Sequence, residues 1–273
     1  MKIIKKFRGY FFILPSLIGF SILYLIPFIG GMRYSVSKSG FDDTFVGVEN
    51  YKNVFISDAF RLALKNTGIF MIISIPLIII ISFVIALFLY EVKMPKWVKL
   101  FIIIPIAIPS ASSVGFFRKL FGFGAFNILN TEFAMLGVIL IFIWKNTGYN
   151  LIIYLAGFTQ IDKSVIEASE IDGANYLQKL KHVIIPLLTP TTVFVGIVTI
   201  INSFKVFKDV YILQGSYPNP NIYMLQHYMN NKFRDLQYEK LTSAAYVFAI
   251  VIFLFALLLF YMDKRHARKV GDN

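Results

Sequence analysis

The residues of this chain best able to do chemistry are polar groups set inside apolar sequence. In the stretch LIFIWKNTGYNLIIYLAGF, Lys145, Asn146, Tyr149 and Asn150 interrupt a run that is otherwise fit for a bilayer. At 100° per residue Asn146, Tyr149 and Asn150 share one helix face, and Lys145 lies beside Tyr149. A lysine at mid-membrane depth costs about 2.5–3.5 kcal/mol on insertion scales, so it must face a bundle interior, water or a partner. Farther along, Thr199, Asn202 and Ser203 follow an i, i+3, i+4 pattern and make a second polar stripe. Each stripe serves either a solute-lining face or hydrogen bonds between packed helices. Two of them on neighbouring segments, at similar depth, suggest one shared hydrophilic site.

Other chemistry is excluded by residue type. Cysteine is absent, which removes disulfides, thiolate metal sites and a cysteine nucleophile. His182, His227 and His266 are far apart and lack metal-ligand spacing, and no nucleophile–base constellation is present. No Gly-x-x-x-x-Gly-Lys-Ser/Thr loop occurs, so the chain cannot hydrolyse ATP by that route. No carboxylate lies well inside an expected span, as ion-coupled secondary transport would need. The net charge of +12 could suit nucleic acid, but the basic residues collect at the ends of apolar segments, where they set topology instead.

The run Ser164–Pro190, SVIEASEIDGANYLQKLKHVIIPLLTP, has another character. Ser164 and Glu167 form a capping-box signature, so a helix is expected to start near Ser164. Asp172-Gly173 is a turn dipeptide, and glycine enters the left-handed cap conformation without a Cβ clash. Beyond it Tyr176, Leu177, Leu180 and Val183 recur at helical spacing beside Gln178, Lys179 and Lys181. The spacing predicts a short helix, a glycine hinge and a second amphipathic piece leading into a membrane helix.

The elements that must position these groups are membrane helices. Of 273 residues, 57% are hydrophobic and 15% are charged, well below the roughly 25% charge of soluble domains. Six segments are long and apolar enough to span a bilayer, which takes about 20 residues each. They lie near 10–32, 66–90, 98–117, 133–157, 183–204 and 241–262, and the whole chain reads as one membrane domain with a 158–182 loop. Gly30-Gly31 are expected to end the first segment, and Asp58–Lys65 to form a short interfacial helix. Pro105 and Pro109 mark the third segment as either a kinked packing helix or a cavity lining. The aromatic, turn-rich 211–240 loop is either a surface for an external partner or an interfacial belt. Lys2, Lys5, Lys6 and Arg8 precede a first apolar stretch that is too long for a signal core, which reads as an uncleaved helix. With Lys93, Lys96 and Lys99 in one loop and Lys264, Arg265, Arg268 and Lys269 at the end, both termini are expected in the cytoplasm.

The 164–190 run resembles the cytoplasmic loop motif of permease subunits in bacterial ABC importers. Glu167, Ala168, Asp172, Gly173, Ala174, Ile184 and Pro186 stand in matching positions, with Ser169 for the second alanine and Ile185 for the leucine. Phe45–Tyr51 (FVGVENY), Ala63–Thr67 (ALKNT), Trp144–Gln160 and Ser203–Pro218 are similar to phrases of carbohydrate-type permeases, although Gly215-Ser216-Tyr217-Pro218 replaces their usual Gly-Gly-Gly-Pro-like turn. The similarity covers nearly the whole chain. It implies an all-α membrane protein with six transmembrane helices of the type I ABC importer permease fold and a coupling helix between the fourth and fifth. It also implies a non-catalytic subunit of a sugar or oligosaccharide importer, the first permease of a pair. A second homologous permease, two cytoplasmic ATPase subunits that bind ATP and Mg, and an extracytoplasmic sugar-binding protein are the implied partners, besides membrane lipid and without nucleic acid. Glu167, Ala168, Ser169, Asp172, Gly173, Ala174 and Pro186 are then the ATPase-coupling positions. Asn146, Tyr149, Thr199, Asn202 and Ser203 are expected along the substrate path, with the role of Lys145 open. A permease for another solute, such as a glycerol phosphate-like anion or a polyamine, is the alternative, with a stand-alone secondary transporter after it.

Overall fold

The computed structural model describes residues 12–92, 94–122 and 127–271. Lys2, Lys5, Lys6, Arg8 and Lys93 lie outside the described residues, as do the side chains of Lys96, Lys264, Arg265, Arg268 and Lys269. The chain forms two compact units, one running up to Arg61 and taking in Tyr228–Ala249, the other comprising Leu62–His227 and resuming at Ile250.

In the first unit, α1 (Phe12–Val36) is a single helix, widened to a π turn at Ser21–Leu25. Gly30-Gly31 do not end it, contrary to expectation. Gly31 instead makes room for a ring, because a Cβ there would come 2.9 Å from the Tyr246 hydroxyl, which donates to the Phe28 carbonyl. A small antiparallel hairpin follows, β1 (Ser37–Ser39) and β2 (Asp42–Phe45), with Ser37 opposite Phe45. Its turn at Gly40 lies under the Tyr238 ring, 2.5 Å from where a Cβ would be. Helix α2 (Glu49–Ile56) is pinned to the hairpin by buried Asn50, whose amide donates to the Ser35 and Ser37 carbonyls at 3.1 and 2.6 Å.

Helices α3 (Asp58–Glu91) and α12 (Tyr238–Gly271) run through both units. Asp58–Lys65 is therefore the opening of a long helix and not a separate interfacial one. Its apolar sequence propagates without a break because Pro76 falls where the membrane helix tolerates it.

The second unit is built on α3, α4 (Lys96–Ala107), α5 (Ser110–Gly122), α6 (Ala134–Thr159), α7 (Lys163–Ile171), α8 (Tyr176–Lys179), α9 (Thr189–Phe204) and α10 (Val206–Gln214). Helix α11 (Leu225–Arg234) opens in it. Phe70, Ile75 and Ile78 of α3 meet Val138 and Phe142 of α6 and Ile200 of α9 in one core cluster. Ala86 and Leu89 meet Leu151, Tyr154 and Phe158, with Leu188 and Val195, in another. Small residues allow close approach: a Cβ on Gly148 would sit 2.5 Å from the Ile102 carbonyl oxygen, so α4 lies directly against the α6 backbone.

Among the described residues five helices are long and apolar enough to cross a membrane, and the bent pair α4 and α5, taken as one span, makes a sixth. That pair turns by 97° at its break. The cause is local, since Ile108 precedes Pro109 and is driven to extended backbone (φ −78°, ψ 122°), where a helix cannot continue. The fifth span also differs from its expected bounds. The chain from Leu180 to Ile184 is a π turn, the regular helix begins at Thr189, and it continues past Lys205 to Gln214.

Candidate functional site

Helix α6 places Lys145, Asn146 and Tyr149 at its middle, and α9 and α10 place Asn202, Lys205, Lys208 and Asp209 opposite them. Between them lies a cavity of about 560 Å³, which Pro105 and Ser110 border at the α4–α5 bend. Lys145 Nζ donates to both oxygens of Asp209, at 2.7 and 2.9 Å, and to Ser110 Oγ at 2.9 Å. Their side chains are only 16% and 8% exposed, so this is a buried ion pair at membrane depth. Asn146 lines the cavity and donates to the Phe142 carbonyl at 2.8 Å. Tyr149 stays exposed, and Asn202 accepts from Lys205 Nζ at 2.9 Å.

Thr199 and Ser203 are placed elsewhere. At 100° per residue they lie about a quarter-turn or more round α9 from the face that carries Asn202 and Lys205. Thr199 is fully buried and accepts from Asn150 Nδ2 at 2.9 Å, and Ser203 donates to the Ile200 carbonyl at 2.6 Å. Neither lines this cavity. The polar stripes thus divide, one edge opening on the cavity and the other closing the α6–α9 interface. Asp209 is the residue that sequence reasoning missed. It is a carboxylate inside the span Thr189–Gln214, which runs beyond the expected 183–204, and it lies seven residues after Asn202 on the same face. That signal was hidden by ending the fifth segment at Phe204. Both its oxygens are bound by Lys145, so it is not a free site for a coupling ion.

The 158–190 region forms the hinged element that its pattern predicts, with different caps. Helix α7 is capped by Asp162, not Ser164: the Asp162 carboxylate accepts from the Ser164 N–H at 2.9 Å, which holds its pKa below the usual carboxylate range. The capping box occurs at the second piece, where Asn175 accepts from the Gln178 N–H and Gln178 from the Asn175 N–H. Gly173 sits at φ +78°, with Ala174 N–H bonded to the Ser169 carbonyl and Gly173 N–H to that of Glu170, a Schellman closure. Glu167 and Ala168 are exposed, Ser169 bonds its hydroxyl to the Ile166 carbonyl, and Asp172 closes α7. Lys179 reaches back to Glu170 at 2.6 Å, and that carboxylate raises its pKa. Tyr176 donates to Glu91 at 3.2 Å, and burial, then the Glu91 charge, pushes the phenol up. Ile171 and Leu177 are 86% and 71% exposed, while Leu180 joins the core, so the hinge presents an apolar tip on an anchored base. Pro186 lies in the one-turn helix Ile185–Leu187 that leads to buried Leu188.

Among the described residues no group of three His, Asp or Glu could hold a metal. Residues 66–272 match the family described as the binding-protein-dependent transport system inner membrane component. A probable ABC transporter permease protein of Pyrococcus horikoshii is 32% identical, over 93% of this chain and 98% of its own length. The chain belongs to this family. It is a multi-pass, non-catalytic membrane subunit. The lactose transport system permease protein of Rhizobium radiobacter is 27% identical over 94% of each chain. The fold is that of a chain in a bacterial alginate ABC transporter solved in complex with alginate pentasaccharide-bound periplasmic protein (TM-score 0.75, 21% identity, covering 97% of this chain and 96% of that one). In this permease the ALKNT phrase has a structural role. Asn66 donates to the Pro220 and Tyr223 carbonyls at 2.6 and 3.0 Å, and Thr67 accepts from the Leu225 N–H at 2.9 Å, tying the chain before α11 to α3.

Proposed function

We propose that this permease forms, with a second homologous permease, the membrane path for a sugar or oligosaccharide in an ABC importer. The observation that carries this reading is the cavity in which Asn146, Tyr149 and Asn202 converge at the middle of α6 and the face of α9. Amides supply donors and acceptors to hydroxyls, and an exposed phenol ring offers a face on which a pyranose can stack. The lactose permease relative and the solved complex with its saccharide-loaded periplasmic protein support a saccharide and an extracytoplasmic binding protein as delivery partner.

In this reading two cytoplasmic ATPase subunits, which bind ATP and Mg, grip the loop from α7 to Pro186. Glu167 and Ala168 are exposed on α7, Ile171 and Leu177 form the apolar tip, and the salt bridge from Lys179 to Glu170 makes the hinged pair move as one piece. Gly173 holds the bend. Movement passes through the Ile185–Leu187 turn into α9, which carries one wall of the cavity. The path then alternates between two packings open to opposite sides. Both termini lie on the ATPase side.

The test is uptake into proteoliposomes holding both permeases and the ATPases. Sugar should accumulate only with ATP and the binding protein. Gly173→Pro and Glu167→Arg should lose ATPase subunits on purification while the permease pair still inserts. Uptake without ATPase subunits, or normal subunit yield and ATP hydrolysis in both variants, would overturn the reading.

A further inference from the structure

The cavity holds more positive charge than its carboxylate can balance. Lys145, Lys205, Lys208 and Asp209 are the ionised side chains on its wall. Asp209 is fully committed to Lys145 through both oxygens. Lys205 reaches only the neutral amide oxygen of Asn202, and among the described residues neither Lys205 nor Lys208 lies within ion-pair distance of a carboxylate. Lys205, at the junction of α9 and α10, and Lys208 on α10 are three residues apart, close enough on one helical face to repel each other, and the acidic neighbour on α10, Asp209, has both oxygens taken by Lys145. The wall also includes apolar residues such as Ile106, Phe142, Val198 and Ile201, while Lys205 and Lys208 are themselves exposed, so their ammonium groups are accessible to an incoming anion.

We propose that the path takes an acidic saccharide, one whose carboxylate or ester oxyanion is received by Lys205 and Lys208 while its hydroxyls meet Asn146, Asn202 and Tyr149. This rests on the saccharide reading above and adds the charge of the cargo. The Lys145–Asp209 pair contributes no net charge to that choice. The separation of duties is physical: paired charges set the shape of the wall, and unpaired ones select. An excess of two ammonium groups favours a mono- or dianionic cargo over its neutral counterpart and raises the local concentration of anions at the mouth.

The experiment uses the assembled transporter in proteoliposomes with its binding protein. Uptake is measured for oligogalacturonates, for their methyl esters, which keep the skeleton without the charge, and for neutral malto-, galacto- and arabino-oligosaccharides. Acidic chains should be carried and their esters should not. The double variant Lys205→Gln/Lys208→Gln should raise the KM for the acidic chain by at least about tenfold, and Lys205→Arg/Lys208→Arg should restore it. Elution of the intact complex checks that the variants assemble. If neutral chains are carried as well as acidic ones, or if the glutamine variant leaves the acidic KM unchanged, the charge assignment fails while the saccharide reading stands. If none of the acidic or neutral chains is carried, the saccharide reading itself fails and takes the charge assignment with it.

Discussion

Lys145 and Asp209 show how a charge is made tolerable at the centre of a membrane helix. Each is desolvated, and each is compensated by the other, with the Ser110 hydroxyl oxygen accepting a further hydrogen bond from the lysine. Removing one partner leaves the other charged and alone, so Asp209→Asn should cost about 3–5 kcal/mol and lower the melting temperature in detergent by on the order of 10 °C. Replacing both with apolar residues of similar volume, as in Lys145→Met/Asp209→Leu, should recover most of that loss. Equal destabilisation by the single and double variants would show that the pair does not act as a unit. His227 is another buried titratable group, outside the expected spans. Its ring is closed in by Phe207 at 4.7 Å and Tyr223, and burial pushes its pKa down to about 4 from 6.5. Above 6.5 the imidazole is neutral in both folded and unfolded chains. As pH falls from there towards 4 the unfolded chain takes up a proton that the folded one refuses. Stability should therefore drop through that window, by roughly 3 kcal/mol at most, and His227→Gln should flatten the slope in a thermal-melt series against pH. Lys145 could be found from sequence because a mid-span lysine is costly wherever it sits. Its partner was harder to see, because Asp209 lies beyond a polar patch, Asn202 to Lys205, that reads as the end of a span.

At the scale of elements, the packing depends on where side chains are absent. Gly148 faces the α4 backbone, and the atoms a Cβ would strike are the Ile102 carbonyl oxygen at 2.5 Å and Ile103 Cα at 2.9 Å. Backbone cannot swing aside as a flexible side chain can, so Gly148→Ala should push α4 off α6 at a cost of about 1–3 kcal/mol. Gly115, with nothing within 4 Å of its would-be Cβ, supplies the control, and Gly115→Ala should be neutral or slightly stabilising in the same melt. A Gly148→Ala protein that melts with the wild type would remove this contact from the account. The helices themselves were legible from apolar run length, and the α7–Gly173–α8 hinge from its turn chemistry. Boundaries were not. The pair Gly30-Gly31 has the composition of a helix stop, yet it stays helical because a membrane helix bonds its own backbone, and Gly31 serves close packing. The hairpin at 37–45 escaped notice because its strands are three and four residues long, too short for alternation to register.

For the whole molecule the proposed mechanism requires one cavity to face two sides in turn, and the absence of cysteine in this chain makes this directly measurable. Asn202 and Tyr149 line the cavity, whereas Thr199 and Ser203 of α9 are buried, Thr199 against Asn150 of α6. Single cysteines at these positions are then clean reporters once this chain is separated after labelling, since it has no native thiol. A membrane-impermeant maleimide should label Asn202→Cys and Tyr149→Cys from one side of sealed vesicles at rest. With the binding protein present and the ATPases trapped by vanadate, labelling at both positions should shift to the opposite side. Thr199→Cys and Ser203→Cys should label slowly in both states if α6 and α9, joined by the Asn150–Thr199 hydrogen bond, move as a packed pair. If the interface positions opened together with the cavity, the helices would be separating and not rocking as one body. If Asn202→Cys kept the same sidedness throughout the cycle, the cavity would be a fixed vestibule, and the movement started at Gly173 would have to end somewhere other than the wall formed by α9.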